Sequence, residues 1–158
     1  MLPVTGALAA LALVLSRANS SPADATLIPR GGYIGSGFYN GAYTYGLPAT
    51  CGGTPTDTDL IVAVTRSVFD SFPGTSANLN ESPACGKKIV AKHDGKTANL
   101  TVTDLCATFE YLDGNENKYL CRPGGDFEMT KAAFNQLVGR DPKDYGLDIV
   151  EGIEWDWA

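Results

Sequence analysis

Four cysteines behind an apolar N-terminal run constrain this chain more than any other feature. They are residues 51, 85, 106 and 121 of a 158-residue sequence, and none belongs to a Cys-x-x-Cys pair. The apolar run at 7–15 is too short to span a bilayer, and small residues follow it at Ser16 and Ala18, as in a secretory signal peptide. Because exported chains meet an oxidising compartment, an even cysteine count predicts two disulfides.

The same reading divides the chain into three parts: a signal peptide at 1–18, a flexible N-terminal tail at 19–32, and one folded domain at 33–158. Cleavage after Ala23 is the alternative to cleavage after Ala18. The net charge of −6 argues against nucleic-acid or anionic-membrane partners. His93 is the single histidine, so it has no second histidine with which to bind a metal, and we expect no metal site. No motif in the sequence predicts a cofactor. We therefore expect a secreted, extracellular monomer.

Short strands and tight turns dominate the rest of the sequence. The continuous apolar run at 60–64 predicts a buried strand. Asp94-Gly95 lies between two alternating segments, 88–92 and 97–103, and predicts a hairpin. Alternation in 153–157 predicts a last strand with Trp155 inside. One short helix should begin after Thr130 and end before Gly139.

Sequons for N-linked glycosylation occur at Asn19, in the expected N-terminal tail, and at Asn80 and Asn99, in the expected domain. Alternation places Asn99 on the outward side of its strand, whereas Pro83 directly follows the serine of the Asn80 sequon. Asn80 and Asn99 are both candidate glycosylation sites, with Asn99 the stronger.

Two carboxylates follow strand-like runs beside the cysteines. Asp104 lies in the segment Thr101-Val102-Thr103-Asp104-Leu105-Cys106, and Glu128 lies in Gly125-Asp126-Phe127-Glu128-Met129-Thr130. From about Gly35 to Trp157 the chain resembles the double-psi β-barrel family, which includes expansins, barwin-like proteins, endoglucanases and rare lipoprotein A (RlpA). The resemblance implies an all-β protein: a six-stranded double-psi β-barrel with one or two short helices.

In that family the two acids lie in an open groove that binds polysaccharide, which makes Asp104 and Glu128 the candidate catalytic and binding residues. Tyr39, Tyr43 and Asp126 are further candidates for polysaccharide contact, the tyrosines by stacking on sugar rings. Structural roles are the alternatives: Asp104 can bond neighbouring backbone, and Asp126 can terminate a turn. Glu128 replaces the usual aspartate, and 39–43 lacks the additional acid of the endoglucanases. A complete hydrolytic pair is therefore not expected.

Three functions stay open at this point. The favoured one is expansin-like binding of cell-wall or matrix polysaccharide without hydrolysis. The second is glycan cleavage, lytic-transglycosylase-like or endoglucanase-like, with Asp104 or Glu128 as the proton donor. The third is a secreted inhibitor or defence-related protein that uses the barrel as a scaffold.

The disulfide pairing is predicted as Cys51 with Cys85 and Cys106 with Cys121. The first bond would join the early turn to a strand start. The second would close the base of the inserted loop 107–120, which carries acidic and aromatic residues next to the expected groove.

Overall fold

A computed structural model describes residues 32–41, 46–106, 121–143 and 148–158. The expected signal peptide, nearly all of the N-terminal tail and the inserted loop lie outside these ranges. Within them the strands are β1 (Tyr33–Tyr39), β2 (Ile61–Thr65), β3 (Lys88–His93), β4 (Lys96–Cys106), β5 (Phe127–Met129) and β6 (Ile149–Trp157). The helices are α1 (Arg66–Phe69) and α2 (Lys131–Val138), with a 3-10 turn at Leu79–Glu81.

The six strands close into a barrel in the order β1-β5-β2-β4-β3-β6. The pairs β1-β5 and β2-β4 are parallel, and the other four pairs are antiparallel. Closure removes the unpaired strand edges that an open sheet would present. The predicted class, a mainly-β six-stranded barrel with two short helices, is confirmed.

Alternation along the strands fills the barrel with apolar side chains. On β4 the inward residues Ala98, Leu100 and Val102 are fully buried, while Asn99 between them is exposed. The predicted buried strand is present as β2, all of whose residues are buried, but it begins one residue later than predicted, and Leu60 before it is 39% exposed. Trp155 on β6 is 2% exposed, which confirms its predicted inward position.

Local turn chemistry also matches the sequence. Asp94 and Gly95 take φ values of 46° and 75° between β3 and β4, as a two-residue hairpin turn requires. Thr130 caps helix α2 by accepting a hydrogen bond from the Ala133 amide at 3.3 Å. The helix ends at Gly139, whose left-handed φ of 85° satisfies the usual C-terminal geometry. No helix in the described ranges is long and apolar enough to cross a membrane.

Both predicted disulfides are present. Cys51 bonds Cys85 with Cα atoms 5.5 Å apart, and Cys106 bonds Cys121 with Cα atoms 5.8 Å apart. The first holds the segment before β2 near β4, since the Cys51 amide also donates to the Thr103 carbonyl at 3.0 Å. Two disulfides in a small domain are typical of exported proteins.

Candidate functional site

A register shift in the parallel β2-β4 pair decides where Asp104 lies. Val62 pairs with Val102, but the next residue, Ala63, pairs with Asp104, so that Thr103 is skipped. Strict alternation would turn Asp104 toward the barrel interior, where Val102 lies. The extra residue instead returns Asp104 to the outer face.

Register then aligns one residue from each of five neighbouring strands on that outer face. Glu128 of β5 pairs with Phe38 of β1 on one side and with Ala63 of β2 on the other. Ala63 also pairs with Asp104 of β4, and Phe38 pairs with Ile149 of β6. We call this set the acid row: Ile149, Phe38, Glu128, Ala63 and Asp104. The two predicted acids are therefore brought together, two strand spacings or roughly 10 Å apart at their Cα atoms.

The Asp104 carboxylate is held by the turn that precedes Cys51. Its Oδ1 accepts hydrogen bonds from the Thr50 amide at 2.9 Å, from the Thr50 hydroxyl, and from the Leu105 amide at 2.8 Å. Three donors to a single oxygen fix the orientation of this carboxylate. Asp104 thus accepts hydrogen bonds from neighbouring backbone, as the structural alternative for this residue predicted, and it also lies on the same outer face as Glu128.

Glu128 lies in a more apolar environment. A small buried cluster of Phe38, Ala63 and the Cys106–Cys121 disulfide lies on the same side of the sheet. Burial raises the pKa of Glu128 to about 7, and the negative charge of Asp104 acts in the same direction. A hydrogen bond from Asn40 Nδ2 to Glu128 Oε2, at 2.7 Å, opposes the rise. At mildly acidic pH the Glu128 side chain is therefore a neutral acid.

This raised pKa predicts a pH dependence of stability. Below its ordinary value near 4.5 the carboxyl is neutral whether folded or unfolded, whereas between about 4.5 and 7 only the unfolded chain ionises. The free energy of unfolding should therefore fall by about 1 to 2 kcal/mol as pH rises through this window, a figure reduced for partial solvent exposure. Urea unfolding of the parent and Glu128→Gln from pH 4 to 8 measures it.

The substitution should flatten that slope, while Glu154→Gln, at an exposed carboxylate on β6, should leave it unchanged. Asp148 should not add to the slope in this pH range. Its hydrogen bond with Arg140 lowers its pKa, so its contribution to the pH dependence of stability falls below about pH 4. Equal slopes for the parent and Glu128→Gln would show that Glu128 has an ordinary pKa.

Asp126 serves the fold at a neighbouring position. Its side chain is 6% exposed; Oδ1 accepts from the Ser36 amide at 2.8 Å, and Oδ2 accepts from Arg122 Nε at 2.9 Å. Arg122 also donates to the Ser36 hydroxyl at 2.8 Å. These bonds connect β1 to the segment before β5. They agree with the structural role, at the end of a turn, that the sequence offered as the alternative for Asp126. Polysaccharide contact by Asp126 stays a prediction.

Tyr39 lies on the opposite side of the sheet from Glu128. It pairs with Met129, whose side chain belongs to the barrel core, and its own ring packs against that core. The Tyr39 hydroxyl donates to Asp57 Oδ2 at 2.6 Å. The structure does not bring Tyr39 to the acid row, and Tyr43 lies outside the described residues. Sugar stacking by either tyrosine stays a prediction.

Two site residues escaped the sequence analysis, Asn40 and Thr50. Asn40 follows β1 and is anchored by its own amide, which donates to the Met129 carbonyl at 2.9 Å. It lies in the stretch 39–43, where only an acid was sought. Thr50 is adjacent to Cys51, so the predicted bond to Cys85 already indicated that this turn approaches the start of β3, which pairs with β4.

Comparison with known proteins gives the fold. No protein-family model matches the chain, and a search of curated proteins finds no relative. Among solved structures it is similar to the Streptomyces papain inhibitor, with 21% identity and a TM-score of 0.56 over 84% of this chain and 98% of that one. The chain has the double-psi β-barrel fold.

Two further double-psi β-barrel structures show weaker similarity. An expansin of Clavibacter michiganensis in complex with cellohexaose has 19% identity and a TM-score of 0.48, over 81% of this chain and 50% of that one. Cerato-platanin 3 from M. perniciosa has 12% identity and a TM-score of 0.46, over 79% of this chain and 93% of that one. The present barrel thus spans about half the length of the expansin.

Proposed function

We propose that this protein is secreted and binds cell-wall or matrix polysaccharide at the acid row without hydrolysing it, as its resemblance to expansins implies. The observation that carries the proposal is the meeting of Asp104, Glu128 and Asn40 on one outer face of the barrel. A neutral carboxyl, a fixed carboxylate and an amide together supply donors and acceptors for sugar hydroxyl groups.

The chemistry of the same three side chains argues against ordinary hydrolysis. Glycoside hydrolysis generally needs one carboxyl as acid and a second as base or nucleophile. Glu128 has the raised pKa of an acid, but Asp104 uses one oxygen for three internal hydrogen bonds. The side chain that bonds Glu128 directly is the amide of Asn40, which is not a base. Within the described residues the site is better suited to binding than to cleavage.

The length of the acid row favours a polymer over a small molecule. Across five strands at about 4.8 Å spacing the row extends over about 19 Å. Phe38 and Ala63 within it are buried, so the side chains that a ligand can reach are those of Ile149, Glu128 and Asp104. Ile149, 36% exposed, ends the row with an apolar side chain, Glu128 lies at its centre, and Asp104 lies at the other end. An extended chain of sugars presents both apolar ring faces and hydroxyl groups to such a surface.

Binding isotherms on insoluble cellulose, chitin and peptidoglycan test the proposal. We expect retention on at least one polymer, and a three- to tenfold weaker Kd for Glu128→Gln or Asn40→Ala, since each removes one polar contact. Glu154→Gln is the matched control and should bind like the parent. Failure of the folded parent to bind any of the three polymers would refute the proposal. Equal binding by all variants would show that the polysaccharide does not bind at the acid row.

Acid-only glycan cleavage is the second candidate, because one observation favours it. A proton donor should have a pKa near the working pH, and burial raises the pKa of Glu128 to about 7. In this mechanism Glu128 protonates the leaving oxygen and no protein base is required. Release of new sugar ends by the parent, and its loss in Glu128→Gln with binding intact, would establish this function.

A further inference from the structure

Asn99 has the local geometry of a modification site. It is exposed on the outer face of β4, within the sequon Asn99-Leu100-Thr101. Leu100 is fully buried in the barrel, so Asn99 and Thr101 share the outer face. The amide of Asn99 and the hydroxyl of Thr101 are thus presented on the same side of the strand.

An apolar surface lies directly beside this asparagine. Asn99 pairs with Val90 of β3, and Val90 pairs with Asp156 of β6. Directly opposed residues in such a pair have Cβ atoms about 5 Å apart. Val90 is half-buried and forms part of an open cleft of about 640 Å³. The cleft also contains Ile34, which is 73% exposed, the most exposed large apolar side chain among the described residues.

We propose that Asn99 carries an N-linked glycan whose first sugars lie over Val90 and along this cleft. The donor is a lipid-pyrophosphate-linked oligosaccharide of the export pathway. The Asn99 amide nitrogen forms a bond to the anomeric carbon, the bond from that carbon to the pyrophosphate oxygen breaks, and the amide proton leaves with the lipid pyrophosphate. Apolar ring faces of the sugars then cover side chains that the barrel leaves exposed.

The glycan would leave the acid row open. Asn99 lies on the half of β4 that pairs with β3, and Asp104 lies on the half that pairs with β2. Five residues of strand separate them by about 16 Å. The inference is therefore independent of polysaccharide binding, and failure of one leaves the other unaffected.

Asn80 provides an internal comparison. It lies in the 3-10 turn and is exposed, but the hydroxyl of Ser82, which completes its sequon, is buried and accepts a hydrogen bond from the Ala84 amide at 3.2 Å. Pro83 follows directly. We expect Asn80 to be unmodified, which makes Asn80→Gln the matched control for Asn99→Gln.

Secretion of the full chain from yeast, followed by intact-mass measurement and peptide mapping before and after peptide N-glycosidase treatment, tests occupancy. Because Asn19-Ser20-Ser21 is a further sequon outside the described residues, every variant is made in an Asn19→Gln background. In that background we expect glycan mass on the chain with Asn99 intact and on Asn80→Gln, and its complete loss from Asn99→Gln. Enzymatic release should convert Asn99 to aspartate. An unmodified Asn99 in the secreted parent would overturn the proposal.

The position of the sugar needs a second measurement. Trimming with an endoglycosidase that leaves one sugar should give a melting temperature about 2 to 4 °C above that of unglycosylated Asn99→Gln. Val90→Thr, which keeps the shape of the side chain, should reduce this difference by half or more. An undiminished difference in Val90→Thr, or no difference in the parent, would show that the first sugar does not lie over Val90.

Discussion

Replacing Trp155 with alanine should lower the free energy of unfolding by about 3 to 5 kcal/mol, the range typical of removing a large buried aromatic side chain. The Trp155 ring stacks on Tyr33 with centroids 4.1 Å apart, and its edge contacts involve Phe127 and Trp157. Its Nε1 donates to the Gly125 carbonyl at 2.7 Å. The substitution therefore removes packing between three strands and leaves a carbonyl without its partner.

Urea unfolding of the purified parent and variant measures this loss. Ile34→Ala is the control, because it also removes a large apolar side chain from the same end of the barrel, but one that is 73% exposed. Its effect should stay within about 0.5 kcal/mol. Should Trp155→Ala unfold at the same urea concentration as the parent, Trp155 would not be a core residue.

Gly35→Ala should be the second severe substitution. A Cβ at Gly35 would lie 2.2 Å from the Gly125 carbonyl carbon and 2.6 Å from the Asp126 amide nitrogen. These are backbone atoms, so no side-chain rotation can relieve the clash, and β1 must separate from the segment that enters β5. Overpacking of this kind costs about 3 kcal/mol or more. We expect a melting temperature at least about 10 °C below that of the parent.

Gly32→Ala is the matched control for this prediction. It lies just before the same strand, its Cβ would meet no atom within 4 Å, and its φ is not in the left-handed region. Gly32→Ala should therefore melt close to the parent, and most of the loss expected for Gly35→Ala should appear as a difference in melting temperature between the two variants. Similar melting temperatures for Gly35→Ala and Gly32→Ala would contradict the close crossing of β1 and the chain before β5.

The features that the sequence predicted well are those set by local chemistry. Asp94-Gly95 needs positive φ at both positions, and Thr130 and Gly139 define both ends of helix α2. The disulfide pairing also followed, because each bond closes a turn or a loop beside a recognisable strand. For the hairpin turn and the helix ends a few neighbouring residues determine the geometry, whereas the disulfides join residues 34 and 15 positions apart.

Features that depend on strands distant in sequence were harder to predict. Alternation along β4 predicted the outward position of Asn99, whereas the place of Asp104 was expected only from the family resemblance, because the register shift after Val102 depends on pairing with β2. Sugar stacking by Tyr39 stays a prediction, and its register with Met129, which places it on the core side of the sheet, could not be predicted from β1 alone. Asn40 and Glu128 are 88 residues apart, and the parallel pairing of β1 with β5 brings them into contact.

The most direct test of the proposed function counts new reducing ends released from the polysaccharide that the parent binds. At equal bound amounts, the parent, Glu128→Gln and Glu154→Gln should release no more reducing sugar than polysaccharide without protein, at both pH 5 and pH 8. Mass spectrometry of the soluble fraction should likewise find no anhydro-sugar product, which an acid-only cleavage would leave. Cleavage by the parent that is lost in Glu128→Gln, with binding retained, would contradict non-hydrolytic binding and assign Glu128 as a catalytic acid.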